Sequence, residues 1–402
     1  SHPATKRTVE SHARCFDAAN DPDLEKMYTT TSIFTGEKIQ RWNCMMQDQS
    51  GLIQNMRFKR QNYRRTGTCT GAVCVGWNAM NVMWAVTEEM DAEYGTSYKE
   101  RLKNWILRAQ KEGLTVSGAL TDAKGDRSKS PSQQADPDTN LHVKEVREDG
   151  IVIRGAKLMI CGTAAAQEIF LLPGSGYKEP DADYALACVV PRDIEGLTIV
   201  EARHPSDKRE LEETADVEVP DTGITQGWLL FDDVFVPNER VFMCREAKYS
   251  GKVIQHFTAN YRACIGGCVT GQGDVMIGAS ILMARVNGLK TKTFMNKLVD
   301  MSINNTITFG LGAGACALGF QHSSGSFFAD PHTAHTNKVM VATLPYEVKR
   351  LTQEIGGGIV ETGCMPSYAD VSHPEYGPFL KKCLKAGDAS AETRFKAARL
   401  SE

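Results

Sequence analysis

The stretch Glu148-Asp149-Gly150-Ile151-Val152-Ile153-Arg154-Gly155-Ala156-Lys157 decides how the chain is read. Glu148-Asp149-Gly150 supplies a hairpin turn, since Asp and Gly accept the backbone angles that a tight turn demands. The β-branched run Ile151 to Ile153 then suits a pleated, half-buried surface. Working outward, similar short runs recur at Leu141–Val146, Glu168–Leu172, Tyr184–Val190, Leu197–Val200 and Trp228–Val236, each bounded by Gly, Pro or Asp. Further out the periodicity changes. Cys74–Glu93 and Tyr98–Glu112 carry helical spacing, the latter ending at Gly113, and Asp21-Pro22-Asp23 is a candidate helix start. Helical spacing returns in Val253–Val286, Thr293–Ala317 and Leu344–Ile355. The expectation is an α+β chain of three units: helical over 1–113, β-rich over 114–245, helical over 246–402. The polar stretch Gly125–Asp138 is bracketed by structured runs and reads as a long functional loop.

Composition narrows the function classes. A chain of 402 residues is long enough for two or three domains. With 42% hydrophobic and 24% charged residues it is ordinary globular material, and its net charge of -3 argues against a nucleic-acid surface. No apolar run reaches the length of about 18 residues that a membrane span needs. Ser1 to Arg7 is polar and lacks a signal-peptide core, so a cytoplasmic location is expected. Twelve cysteines are many for such a chain. A disulfide scaffold is not expected at this size. They read either as small buried hydrophobes or, in part, as thiolate ligands of a soft metal or iron–sulfur cluster.

Three constellations can carry chemistry. The first is the loop Thr121-Asp122-Ala123-Lys124-Gly125-Asp126-Arg127. Its backbone amides around Gly125 and the cations Lys124 and Arg127 can hold a flavin edge or a pyrophosphate, the alternative being a solvated charged turn. The second is Cys161-Gly162-Thr163, where small residues let a flat cofactor approach the backbone, the alternative being a simple bulge. The third is the cysteine set. Five residues along one helix would turn Cys69 and Cys74 roughly 140° apart, so Cys69 belongs in a turn before the helix and Cys74 in its first turn. Cys264 and Cys268 are four apart and share a face with Tyr261. Two such elements packed together can present four thiolates, or all four can be core cysteines. His142, His204 and His256 stand alone and read as structural. No Walker loop, dinucleotide fingerprint, H-E-x-x-H or nucleophile elbow is present.

Four runs, in order, resemble a known family: Gly118–Ser128 (GALTDAKGDRS), Arg147–Lys157 (REDGIVIRGAK), Phe231–Phe242 (FDDVFVPNERVF) and Gly266–Gly278 (GGCVTGQGDVMIG). They look like 4-hydroxybutyryl-CoA dehydratase and, more distantly, the flavin-dependent 4-hydroxyphenylacetate 3-hydroxylases. The resemblance implies an acyl-CoA-dehydrogenase-like layout, with FAD between the β-domain and the later helices, in a homotetramer. It implies a [4Fe-4S] cluster held by three cysteines and a histidine. Residue by residue, those cysteines fall on Cys69, Cys74 and Cys268, while the histidine falls on Tyr261, a departure with three readings: Cys264 supplies the fourth thiolate, Tyr261 ligates as phenolate, or the cluster is lost. The family's flavin-side threonine falls on Cys161 and its catalytic glutamate on Gln226. A tyrosine and a lysine fall on Ile265 and Val269. The hydroxylase's substrate-binding arginine, tyrosine and histidine fall near Cys69, Cys74 and Gly118, which cannot do those tasks. The implied activity is dehydration and isomerisation of a hydroxyacyl-CoA, with Tyr261, Gln226 and Cys161 at the catalytic positions. The alternatives are a flavin monooxygenase acting on a phenol, or an inactive flavin-binding homologue paired with an active one.

Overall fold

The computed structural model describes residues 3–69, 73–202, 225–387 and 389–401, so His204 lies outside the described residues. Long helices come first: α1 (Pro3–Asp17), α2 (Gln49–Thr66), α3 (Val73–Tyr94) and α4 (Tyr98–Glu112). Helix α3 is buried nearly all round, as its continuous apolar character demands. Helix α4 ends where expected, at Gly113 in the left-handed conformation with φ 64°. Its first amides are capped from the preceding helix: the Asp91 carboxylate accepts from Tyr98 N at 2.8 Å and Lys99 N at 2.9 Å. Asp21-Pro22-Asp23 leads into only a single turn, Glu25–Tyr28, and then a small hairpin of β1 (Thr29–Thr31) with β2 (Lys38–Gln40).

The middle of the chain holds two four-stranded sheets. One runs β10 (Val241–Cys244), β7 (Leu186–Pro191), β6 (Glu168–Leu171), β3 (Val116–Ala119), with only the β3–β6 pair parallel. The other runs β4 (His142–Val146), β5 (Gly150–Cys161), β9 (Gln226–Pro237), β8 (Leu197–Glu201), all antiparallel. The hairpin turn at Glu148–Gly150 forms as read, with Arg147 N donating to Gly150 O at 2.8 Å. Strand β5 does not stop at Ile153. It continues for twelve residues past two register shifts, bringing Cys161 opposite Gln226 at the end of β9. In β9, Gly227, Leu229 and Phe231 alternate inward against outward Gln226, Trp228 and Leu230.

Helices then return as α5 (Ala247–Val286), α6 (Lys292–Ala317), α7 (Pro331–Val341), α8 (Leu344–Gly356) and α9 (Ala391–Ser401). A second small hairpin, β11 (Phe320–Gln321) with β12 (Phe327–Phe328), follows α6. None of the described helices is long and apolar enough to cross a membrane.

Helix α2 lies against α5, and the glycines of α5 set the spacing. A Cβ on Gly267 would stand 2.4 Å from Met56 O, and one on Gly271 would stand 2.8 Å from Arg60 O. The contact is locked by Asp274 of α5, which accepts from Arg60 Nε at 2.7 Å and Arg64 Nε at 2.6 Å. Burial alone would raise the Asp274 carboxyl, but the two guanidiniums outweigh it and hold the group below its usual 3.8. Stability from this clamp is therefore complete above pH about 4 and is lost as pH falls through the depressed folded value. Acid unfolding of Asp274→Asn should show a lower plateau near neutrality and a shallower acid limb. An unchanged limb would show that the clamp contributes nothing.

Candidate functional site

The expected position of the first two cysteines is reproduced. Helix α2 ends at Gly67, Cys69 lies in the connection, and Cys74 is the second residue of α3. Residues 70–72, which include most of the spacer, lie outside the described residues. The start of α3 is pressed against β3: a Cβ on Gly76 would stand 2.2 Å from Val116 O, and one on Gly118 would stand 2.4 Å from Val75 Cγ1. This close approach brings Cys74 beside the strand layer. On β3, Ser117 Oγ donates to Cys161 O at 3.1 Å and so fixes the end of β5.

Tyr261 of α5 is the meeting point. Burial first, then the neighbouring thiols of Cys74, Cys268, Cys161 and Cys69, push its hydroxyl well above the ordinary value. Its ring stacks on Phe257 with centroids 5.5 Å apart, and the Lys59 ammonium of α2 lies 5.5 Å from its centroid. Burial likewise raises the Cys161 and Cys268 thiols, each to about 11. For Cys161 the effect is reinforced by Cys74 and Cys268 and opposed by a hydrogen bond with Gln226.

Cys264 does not join this group as the spacing suggested. Its Sγ donates to Leu52 O at 3.8 Å, and it is hydrogen-bonded to Cys316, whose Sγ stands 3.8 Å from Met56 Sδ. A shared helical face is wide enough to be divided between neighbours: here Cys264 faces the start of α2 and α6, while Cys268 faces Tyr261 and Cys74. Among the described residues no group of three His, Cys, Asp or Glu side chains is placed to hold a metal ion, so the four cysteines expected as metal ligands are not assembled as a metal site.

In the loop the structure separates two roles. Asp122 is buried and paired: Lys157 Nζ donates to it at 2.6 Å and Tyr177 Oη at 2.9 Å, while Lys157 also reaches Leu120 O at 3.1 Å. Leu158 N donates to Thr121 O at 2.9 Å. Thr121 and Asp122 thus anchor the loop to β5. Beyond them Lys124 and Gly125 both adopt left-handed angles, φ 69° and 47°, which swing the loop outward. Gln134 staples it, accepting from Asp126 N at 3.0 Å and donating to Asp126 O at 2.9 Å. The Asp126 carboxylate itself caps Ser128 N at 3.0 Å. The result is a cavity of about 450 Å³ rimmed by Lys124, Arg127, Lys129 and Lys178. Arg127 and Lys178 have no carboxylate partner among the described residues. Such a rim suits a diphosphate. At the far end Gly162, φ 67°, follows Cys161, and its N–H donates to Thr225 O at 2.9 Å.

Lys59, Lys157, Tyr177 and Gln134 were not among the residues read from the sequence. Lys157 was quoted without a role, and the other three carry no motif. His142 and His256 sit in local contacts away from the cysteine set. His142 Nδ1 stands 3.1 Å from Asn140 O, and His256 stacks on Phe328 at 4.3 Å, with burial and His322 lowering it to about 4.

Comparison with known proteins accords with these motifs. The family model for the N-terminal part of 4-hydroxyphenylacetate 3-hydroxylase matches residues 1–243, and that for its C-terminal part matches residues 250–402. The chain is 35% identical over 372 residues to the 4-hydroxybutyryl-CoA dehydratase/vinylacetyl-CoA-Delta-isomerase of Clostridium aminobutyricum, covering 92% of this chain and 75% of that one. An archaeal 4-hydroxybutyryl-CoA dehydratase structure from N. maritimus superposes with a TM-score of 0.95 at 34% identity, covering 100% of this chain and 80% of that one. The FAD complex of the oxygenase component of 4-hydroxyphenylacetate 3-monooxygenase shares the fold, with a TM-score of 0.84 at 20% identity, covering 100% and 82%. The chain therefore belongs to the 4-hydroxyphenylacetate 3-hydroxylase family, in which it stands closer to 4-hydroxybutyryl-CoA dehydratase than to the oxygenase component.

Proposed function

We propose that this chain is an FAD-dependent dehydratase/isomerase acting on a hydroxyacyl-CoA thioester, with an iron–sulfur cluster beside the flavin. What supports the reading is the start of α3, with Cys74, pressed against β3, where Ser117 Oγ fixes Cys161 at the end of β5, with the Cys69, Cys74 and Cys268 thiols within electrostatic reach of Tyr261. Its similarity to the two dehydratases adds the substrate class.

The cationic rim at Lys124 and Arg127 fits the FAD diphosphate, and Gly162 beside Cys161 leaves room for the ring. Gly125 contributes its left-handed turn, while Thr121, Asp122 and Asp126 hold the loop in shape. The flavin would then lie between the strand-rich region 114–245 and the helices from 246 onward, as in acyl-CoA dehydrogenases. Cys69, Cys74 and Cys268 are the cluster ligands. Cys264 serves as fourth ligand only if its thiol leaves Cys316, and Tyr261 is the nearer alternative. When bound, the flavin supplies one-electron withdrawal and the cluster supplies a Lewis acid for a leaving hydroxyl.

The residues of the chain do the rest. Where it does not ligate the cluster, Tyr261 keeps its proton at neutral pH and serves as a donor towards the departing oxygen, not as a base towards carbon. Gln226 holds no titratable proton, so it orients substrate through its amide. Cys161, hydrogen-bonded with Gln226, keeps its thiol protonated on the flavin side.

None of the twelve cysteines is in a disulfide, which supports a reducing, cytoplasmic setting. Met295, Val299, Ile303 and Ile307, four apart on α6 and 53%, 53%, 51% and 43% exposed, form an apolar stripe that supports assembly as a homotetramer.

Protein purified without oxygen should carry flavin, iron and acid-labile sulfide, and should convert 4-hydroxybutyryl-CoA to a dehydrated acyl-CoA detectable by mass spectrometry. Yellow, iron-free protein that hydroxylates a phenol only with oxygen and reduced flavin would replace this reading with the monooxygenase one. Protein that binds no flavin would make it an inactive homologue.

A further inference from the structure

The cationic cavity beside the loop contains a buried amide that the protein leaves without a partner. Three polar side chains in its wall are buried: Asp122, Asp181 and Asn140. Two of them are committed. Asp122 accepts from Lys157 and Tyr177, and the Asp181 carboxylate accepts from Ser130 Oγ at 3.1 Å and from Ser132 N at 2.9 Å. Asn140 is 4% exposed, and its Oδ1 has no hydrogen-bond partner. A buried carbonyl without a donor is costly, and native chains leave few of them.

The residue is nevertheless firmly placed through its backbone. Asn140 N donates to Pro137 O at 3.5 Å, closing the turn Pro137–Thr139. Its carbonyl lies so close to β5 that a Cβ on Gly155, where φ is 117°, would stand 2.2 Å from it. The turn at Ser175 to Tyr177, also in the wall, is fixed in its own way. Tyr177 N donates to Ser250 Oγ at 2.7 Å, and a Cβ on Gly176 would stand 3.1 Å from Gly251 Cα, both near the start of α5. Leucine has the shape of asparagine without its polar atoms, so packing alone does not explain the amide.

We infer that Asn140 is a specificity-determining residue of this cavity, hydrogen-bonding a hydroxyl or amino group of a nucleoside diphosphate whose phosphates lie on Lys124, Arg127 and Lys178. The cations accept any diphosphate, and a neutral polar group beside them is what separates a nucleotide from bare pyrophosphate. Adenosine diphosphate is the moiety that FAD and coenzyme A share. The inference rests on the reading of the rim as a diphosphate site and is independent of the cysteines.

The test titrates ADP and inorganic pyrophosphate calorimetrically into full-length protein freed of flavin, as wild type, Asn140→Leu, Asn140→Ala and Arg127→Gln. Wild type should bind ADP more tightly than pyrophosphate. Asn140→Leu should weaken ADP roughly 5- to 100-fold, the range for a buried group left unpaired, and leave pyrophosphate unchanged. Arg127→Gln should weaken both. Flavin-free Asn140→Leu should melt no lower than flavin-free wild type, since the amide it removes makes no bond through Oδ1. Displacement of ADP by FAD or by coenzyme A identifies which of them carries the nucleotide, and displacement by neither overturns the inference. An Asn140→Leu protein with unchanged ADP affinity overturns it and leaves the rim reading intact. So does a Leu variant that melts well below wild type, or failure of both Asn140 variants to fold, since the amide would then be structural. Wild-type protein that binds neither ADP nor pyrophosphate overturns both.

Discussion

Cys268→Ser protein, made and reconstituted without oxygen, is expected to be yellow and almost free of iron. Cys268 projects from the middle of α5, a helix held against α2 by glycines that allow no lateral shift. Its Sγ donates to Ile265 O at 3.2 Å, and its thiol is within electrostatic reach of Tyr261 and Cys74. Serine keeps the shape but replaces a soft thiolate donor by a hydroxyl that does not ionise under these conditions. Iron retention should fall by more than about 100-fold, beyond the range for partners outside the ligand set. Flavin content should hold, because the cationic loop is anchored separately through Lys157 and Asp122. Cys264→Ser is the informative contrast. Its thiol is engaged with Leu52 O and Cys316, so most of the iron should remain. Equal iron loss in the two variants would place Cys264 among the ligands, and full retention in Cys268→Ser would end the cluster reading.

Lys157→Met should be the most damaging single change to the strand-rich region. It leaves the Asp122 carboxylate, 4% exposed, with only Tyr177 as partner. Removing one member of a buried ion pair typically costs about 3–5 kcal/mol. Burial lowers the Lys157 pKa, and the Asp122 carboxylate beside it opposes that effect. Chemical denaturation should show the loss, and retained FAD should fall with it, since Leu120 to Asp122 would lose their anchor. Adding Asp122→Leu to Lys157→Met should recover part of the stability but not the flavin. A single variant within about 1 kcal/mol of wild type would show that the pair contributes little to this fold.

Much of the architecture was legible because local chemistry and tertiary setting agree. The hairpin at Glu148–Gly150 forms where Asp-Gly demands a turn, and α4 occupies the residues that its periodicity and Gly113 marked. Helix α2 was missed for a physical reason. Its buried residues include Asn55, Lys59, Asn62 and Thr66, so the apolar stripe that announces a helix is absent. The same polar face carries Lys59 to the ring of Tyr261, 5.5 Å from its centroid. Strand β5 was cut short because Arg154 to Lys157 interrupts the β-branched run, while pairing with β9 continues regardless of it.

What the sequence determined alone was the order of helices and strands, the family through four motif runs, and the placing of Cys69 and Cys74 around a helix start. Spacing and residue type suffice for these, because turns, caps and periodicity act over a few residues. Tertiary structure decided which side chains meet. It turned Cys264 towards Leu52 and Cys316, brought Cys161 opposite Gln226 and made Asp122 an anchor. Those outcomes depend on how closely α2, α3 and β3 approach α5 and β5. That distance is set by glycines far apart in the chain, and no local pattern encodes it.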